Sequence, residues 1–239
     1  MIKMSDQKIR FSSVSSETAK SVLYFSAISA VMIMILFTRD DSLARDTEKI
    51  VEYLTGYTQI PNAVTSVILG TRLFDTVGEV IVFTIAGLGV KILLSHEETE
   101  SQFVGINDPV IRLLLDFGAL LSCFLAIDLA LKGHLTPGGG FASGVAGATS
   151  ITMLMITGRL QKLEQVYFKS NAAALEKFAV ITFIFIALAT FSGFLFSGSL
   201  FSSISPSLYI PALNIIAALK VTLGSWSILR LFIIKRGVL

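Results

Sequence analysis

Asp75 and Glu79 lie four residues apart in Arg72-Leu73-Phe74-Asp75-Thr76-Val77-Gly78-Glu79, a stretch that runs into the apolar segment 80–94. On a helix that spacing puts both carboxylates on one face, with Glu79 a turn deeper. Placing a charged side chain inside a bilayer costs roughly 2.5–3.5 kcal/mol on insertion scales. A carboxylate there therefore needs an ion or proton path, or a partner charge within a helix bundle. Three roles fit Glu79: a relay for H⁺ or Na⁺, an ion-pair partner for Lys220, or a wetted group at a helix start. Ionisable residues in a span default to function, and Glu79 is read that way. Asp75, one turn nearer the water, is read as a group that positions or admits an ion.

Lys220 falls near the middle of the apolar segment 209–234, with Gly224 and Ser227 on the same helix face. Desolvation favours a neutral amine, so such a lysine can take up and release a proton. A fixed ion pair in the bundle is the structural alternative. In the segment 109–132, Arg112 and Asp116 can pair at one end, and Asp128 and Lys132 at the other, each pair four apart. Asp116 is the deeper acid and the better ion-handling candidate. His134 follows a helix stop and can titrate near neutrality, which suits proton uptake; a loop role is the alternative. With only two histidines and one cysteine in the chain, no zinc-ligand pattern forms. Nucleophilic triads, cysteine pairs, haem ligand pairs and dinucleotide fingerprints are also missing. The chain is read as a non-enzymatic subunit that binds no cofactor.

These residues need helices that cross a membrane to position them. Of 239 residues, 53% are apolar and 15% charged, where soluble domains carry about 25% charged residues. Mean hydropathy is +0.76. The net charge of +2 and the scattered basic residues exclude a nucleic-acid face. A hydrocarbon core about 30 Å thick needs roughly 20 apolar helical residues. Six segments approach that length: 19–38, 74–95, 109–132, 137–157, 176–197 and 209–234. The run 60–70 is too short and reads as an interfacial or re-entrant piece that protein must cover. The first segment resembles a signal peptide through Ser42-Leu43-Ala44, but a retained helix fits its length better. The lone Cys123 lies mid-span and behaves as a small hydrophobe.

The expectation is an all-α polytopic bundle of six spans. With the N-terminus inside, thirteen Lys/Arg fall on the cytoplasmic side against five outside, so both termini are expected to be cytoplasmic. A polar segment at 95–108 divides a two-span block, 1–98, from a four-span block, 99–239. Thr136-Pro137 reads as a helix start, with a hydroxyl cap and a proline at the first position. Gly138, Gly139 and Gly140 do not fit a phosphate cradle, because no Lys-Ser/Thr follows them and no strand precedes them. Thr136, Gly140, Gly144, Ala148 and Thr152 form instead a small-residue stripe, four apart, for close helix packing. Those glycines can also keep a narrow cavity open.

Asn62-Ala63-Val64-Thr65-Ser66-Val67-Ile68-Leu69, followed by Arg72-x-Phe74-Asp75-Thr76-x-Gly78-Glu79, resembles the E-subunit domain of membrane-bound hydrogenases. The same domain occurs in the C-terminal part of the Mrp antiporter A subunit. Gly133-His134-Leu135-Thr136-Pro137-Gly138-Gly139-Gly140-Phe141 resembles the signature of the four-span B subunit of Mrp-type Na⁺/H⁺ antiporters. Ala142-Ser143-Gly144 departs from that pattern, which usually continues Gln/Val-Gly-Gly. Together the resemblances cover residues 21–234. They imply a multi-subunit complex in the cell membrane of a bacterium or archaeon that moves Na⁺ and H⁺, with other membrane subunits and the lipid bilayer as partners. That complex would be an Mrp-type antiporter or the ion-pumping module of a hydrogenase-like respiratory complex. The rival classes are a pure scaffold subunit and a free-standing small-molecule transporter. Inverted repeats and abundant intramembrane polar groups would favour the transporter, and neither is apparent.

Overall fold

A computed structural model of the chain describes residues 22, 25–31, 33, 41–97, 105–195 and 205–236. It is all-helical, with no strand among the described residues. Two compact units divide it, Met1–Ile50 and Val51–Leu239. In the first, residues 25–31 and 41–50 are helical; the rest of the expected span 19–38 lies outside the described residues, apart from 22 and 33. The expected boundary at 98/99 lies outside the described residues.

The helices are α1 (Asp41–Thr58), α2 (Ala63–Ser66), α3 (Leu73–Leu93), α4 (Pro109–Lys132), α5 (Gly140–Leu154), α6 (Leu160–Lys169), α7 (Ala172–Leu195) and α8 (Pro206–Arg236). A π-helical turn, Val67–Thr71, joins α2 to α3, and a kink over Met155–Arg159, with Gly158 at φ +86°, joins α5 to α6. Five stretches are long and apolar enough to cross a membrane: α3, α4, α5 continued through α6, α7 and α8. The chain is a multi-pass membrane protein. The count of six is thus met by five among the described residues.

Local chemistry explains the boundaries. Asp108 Oδ1 accepts from the amides of Val110 and Ile111 at 2.8 and 3.1 Å, and Pro109 takes the first position of α4. The start expected at Thr136-Pro137 is displaced three residues onward, to Gly140. Gly138 and Gly139 hold φ of +148° and +147°, a region that residues with a Cβ rarely enter. The Thr136 hydroxyl donates back to the Lys132 carbonyl at 3.2 Å, closing α4 rather than opening α5.

The central helix is α8: 56% of its apolar window is buried inside the protein, against 11% for α3 and for α4. Lipid is as apolar as leucine, so close packing and interhelical hydrogen bonds must hold such a bundle. The small-residue stripe supplies the packing. A Cβ on Gly140 would sit 2.4 Å from the Asn214 carbonyl oxygen, and one on Gly144 at 2.4 Å from Val221 Cβ. Ala148 is buried in the same stripe. On the opposite side of α5, Ser143 and Ser150 donate to the Ala126 and Ala119 carbonyls of α4, both at 2.7 Å. Two apolar clusters flank the middle of α8, one around Ile60, Phe183, Ile210 and Leu213, the other around Met155, Tyr167, Leu223 and Trp226.

Candidate functional site

The two motifs meet. Carbonyls at the end of α4 lack helical partners and must find donors elsewhere. Asn62 supplies several: its Nδ2 donates to Gly133 O at 2.9 Å and Thr136 O at 2.7 Å, and its amide donates to His134 O at 3.3 Å. The Thr65 hydroxyl donates to Gly133 O at 2.7 Å. Asn62 Oδ1 meanwhile caps α2, accepting from Val64 N and Thr65 N. From the other side, Asn214 Nδ2 donates to Leu129 O and Ala130 O at 3.2 and 2.8 Å. Gly133 makes this possible, since a Cβ there would lie 2.6 Å from Asn214 Nδ2. The run 60–70, expected to be interfacial or re-entrant, contains a single helical turn and a π turn, with Ile60, Asn62, Thr65, Ser66 and Leu69 buried.

Between the α2–α3 segment, the glycine loop and α8 lies a cleft of about 270 Å³, lined by Thr65, Thr76, Glu79, Gly139 and Asn214 among others. Glu79 is exposed on α3 and has no hydrogen bond or ion pair among the described residues. Asn214 is 1% exposed, yet its Oδ1 has no donor. The π turn contributes Ile68 and Leu69 to the wall, and Thr76 Oγ1 donates to the Ile68 carbonyl at 3.3 Å. Such turns often mark functional positions in helices. The cleft thus presents one carboxylate, an uncommitted amide oxygen and hydroxyls. Hard oxygen donors of this kind suit a cation or an ordered water chain.

Lys220 lies elsewhere in the bundle, between the two apolar clusters. Its side chain is wholly buried, its Nζ has no hydrogen-bond partner, and the Phe83 ring centroid is 3.7 Å away. Phe83 is one turn beyond Glu79 on α3. No ion pair joins Glu79 to Lys220; the carboxylate on this side of α8 is Glu176 of α7, whose Oε1 lies 2.9 Å from where a Cβ on Gly224 would stand.

Asp75, Asp128 and Asp116 are committed to pairs. Asp75 is held by Arg72 at 2.6 Å in an exposed pair at the first turn of α3, where the helix dipole also favours it. Asp128 pairs with Lys132 as the spacing suggests. The Arg112–Asp116 pair does not form. Asp116 pairs with Arg159 at 2.7 Å, and Arg112 donates to the Thr157 carbonyl at 2.8 and 3.2 Å. The cause is the kink between α5 and α6, whose Gly158 at φ +86° presents that carbonyl and Arg159 to α4. Asp116 therefore sits at the opposite end of α4 from the cleft. His134 is half-buried, with its Nδ1 enclosed and unpartnered, and its carbonyl bound by Asn62. Pro137 and Gly138 are exposed in the loop that closes on the cleft. Asn62, Thr65, Asn214 and Glu176 were not among the expected site residues. Asn214 carries the one readable signal, an amide inside the apolar segment 209–234.

Residues 110–227 match the model of a domain related to the MnhB subunit of Na⁺/H⁺ antiporter. They include the glycine loop, Asn214 and Lys220 but neither Asp75 nor Glu79. An uncharacterized protein of Methanocaldococcus jannaschii is 32% identical over 122 residues, 44% of this chain; the chain spans 46% of that relative. In fold, the chain is similar to a chain from the structure of the membrane-bound sulfane sulfur reductase, an archaeal respiratory membrane complex. The TM-score is 0.56 with 22% identity, covering 87% of this chain and 98% of that one. The likeness in fold therefore runs through both sequence blocks, whereas the domain match lies within the second.

Proposed function

We propose that this chain is a non-catalytic membrane subunit of a multi-subunit complex that moves Na⁺ and H⁺ across the cell membrane. The complex is an Mrp-type antiporter or the ion-pumping module of a respiratory assembly. One observation carries the reading: the unpaired carboxylate of Glu79, from the hydrogenase E-like motif, and the glycine loop of the B-like motif line a single cleft. The domain match at residues 110–227 supports the antiporter side of it. Glu79 would bind the ion or proton, with Asn214 Oδ1 and the Thr65 and Thr76 hydroxyls as neutral oxygen partners. The glycine loop and the α5 stripe would keep the cleft narrow. Asp75, outside the cleft and paired with Arg72, would position the start of α3 rather than carry the ion.

Purification of the chain from its native membrane in mild detergent tests the assembly. Large antiporter-like membrane subunits are expected to accompany it, with iron–sulfur proteins if the complex is respiratory. A chain that purifies alone and still transports would contradict the subunit reading.

A further inference from the structure

We propose that Glu176 is the proton-exchange partner of Lys220, and that Gly224 is side-chain-free in order to seat the Glu176 carboxylate beside it. The inference rests on the reading that this chain moves protons.

Lys220 has been stripped of water without being given a hydrogen bond. Desolvation penalises a permanent ammonium in such a place more than one aromatic face compensates. The Phe83 ring alone therefore does not hold the charge. What lies beside the ring is Glu176. A Cβ on Gly224, one turn beyond Lys220, would meet Phe83 Cε1 at 2.6 Å and Glu176 Oε1 at 2.9 Å. The ring thus has the amine over its face and the carboxylate near its edge. Gly224 is buried, and any side chain there would displace both.

The pair is open. No salt bridge links Glu176 to Lys220, whereas Asp116 and Arg159 are locked at 2.7 Å. An acid near the amine but not locked to it can swing into contact, take a proton and part again. The two ends also differ in wetness: Glu176 is half-buried near the start of α7, and Lys220 is wholly buried. Polar groups continue along α8 in the same direction. Tyr167 Oη donates to Ser227 Oγ at 3.2 Å, and Arg230 meets Glu164 at 3.4 Å.

In the step, one N–H bond of the Lys220 ammonium breaks and an O–H bond forms on the Glu176 carboxylate. The electron pair stays on nitrogen, leaving a neutral amine and a carboxylic acid. Glu176 then yields the proton to water at its exposed side, and the amine is recharged by a proton arriving through the bundle.

The test uses the assembled complex in membrane vesicles, with Na⁺-driven proton flux as the readout and Glu79→Gln run in parallel. Glu176→Gln and Lys220→Met are each expected to lower the flux roughly 100-fold, the lower end for a positioned proton-transfer group. Glu176→Asp should keep a measurable part of it. The double variant Glu176→Gln/Lys220→Met should be no worse than either single one, because the two act in one step. Wild-type flux in assembled Glu176→Gln, or losses that multiply in the double variant, would overturn the pair. If Glu176→Gln fails to assemble, wild-type flux in assembled Lys220→Met overturns it equally. A flux abolished by Glu79→Gln alone would sink the pair and spare the translocation reading. A flux indifferent to all the variants would sink both.

Discussion

Asn62 shows how one side chain can tie two motifs together. Its amide nitrogen serves two carbonyls of the glycine loop while its oxygen caps α2. Asn62→Asp keeps the size and the cap but replaces the donor with an acceptor facing Gly133 O and Thr136 O. A buried unsatisfied group costs about 1–3 kcal/mol, and more when charged. Asn62→Asp is therefore expected to lower the heat-denaturation midpoint of the purified complex markedly. Thr65→Ser, which keeps the donor to Gly133 O, should leave the midpoint almost unchanged. This part of the site was hidden in the sequence, where Asn62 and Thr65 stand in the hydrogenase E-like motif with no sign of what they bind. Their partners lie in the 133–136 loop, and no local pattern announces a bond of that range. Glu79 was legible because a carboxylate beside an apolar span is conspicuous. Glu176 was not, because it stands at the edge of its span.

At the scale of elements, close approach decides which glycines matter. Gly144→Ala would press a methyl against Val221 and the Ala218 carbonyl, and overpacking of this kind costs about 1–3 kcal/mol. Gly89→Ala on α3 meets nothing within 4 Å and should be neutral or stabilising by up to about 1 kcal/mol through helix propensity. Denaturant titration of the two variants in one detergent checks the contrast. The long apolar helices were largely readable: α4 has the limits expected, 109–132, because Asp108-Pro109 caps one end and Lys132-Gly133 stops the other. The misses have physical causes. The helices α1 and α6 mix polar and apolar residues and fall below an apolar-window reading. The start of α5 moved because two consecutive glycines at positive φ outweighed the Thr-Pro cap. The π turn at Val67–Thr71 left no local signature, whereas the kink after α5 falls at Gly158, which takes φ +86°.

At the scale of the molecule, large apolar side chains such as Val82, Ile85, Leu113, Phe117 and Phe124 face outward on α3 and α4. Lipid and neighbouring subunits are the surroundings this surface fits. The Lys/Arg bias leads us to expect the α6–α7 connection on the cytoplasmic side and the glycine loop on the other. The single cysteine allows a clean check, since Cys123→Ser leaves the chain without thiols. In that background, Ser170→Cys should react with a membrane-impermeant maleimide only from the cytoplasmic face, and Leu135→Cys only from the opposite face. The reverse pattern would invert the orientation and the direction of the relay.

The central claim is that the cleft joining the two motifs handles the transported ion through Glu79. Its most direct test is Na⁺-driven proton flux in vesicles carrying the intact complex, comparing Glu79→Gln with Glu79→Asp at equal assembly. Loss of flux in Glu79→Gln, with a substantial part retained in Glu79→Asp, is the predicted result. Wild-type flux in Glu79→Gln would contradict the account and leave the chain a scaffold beside the ion path.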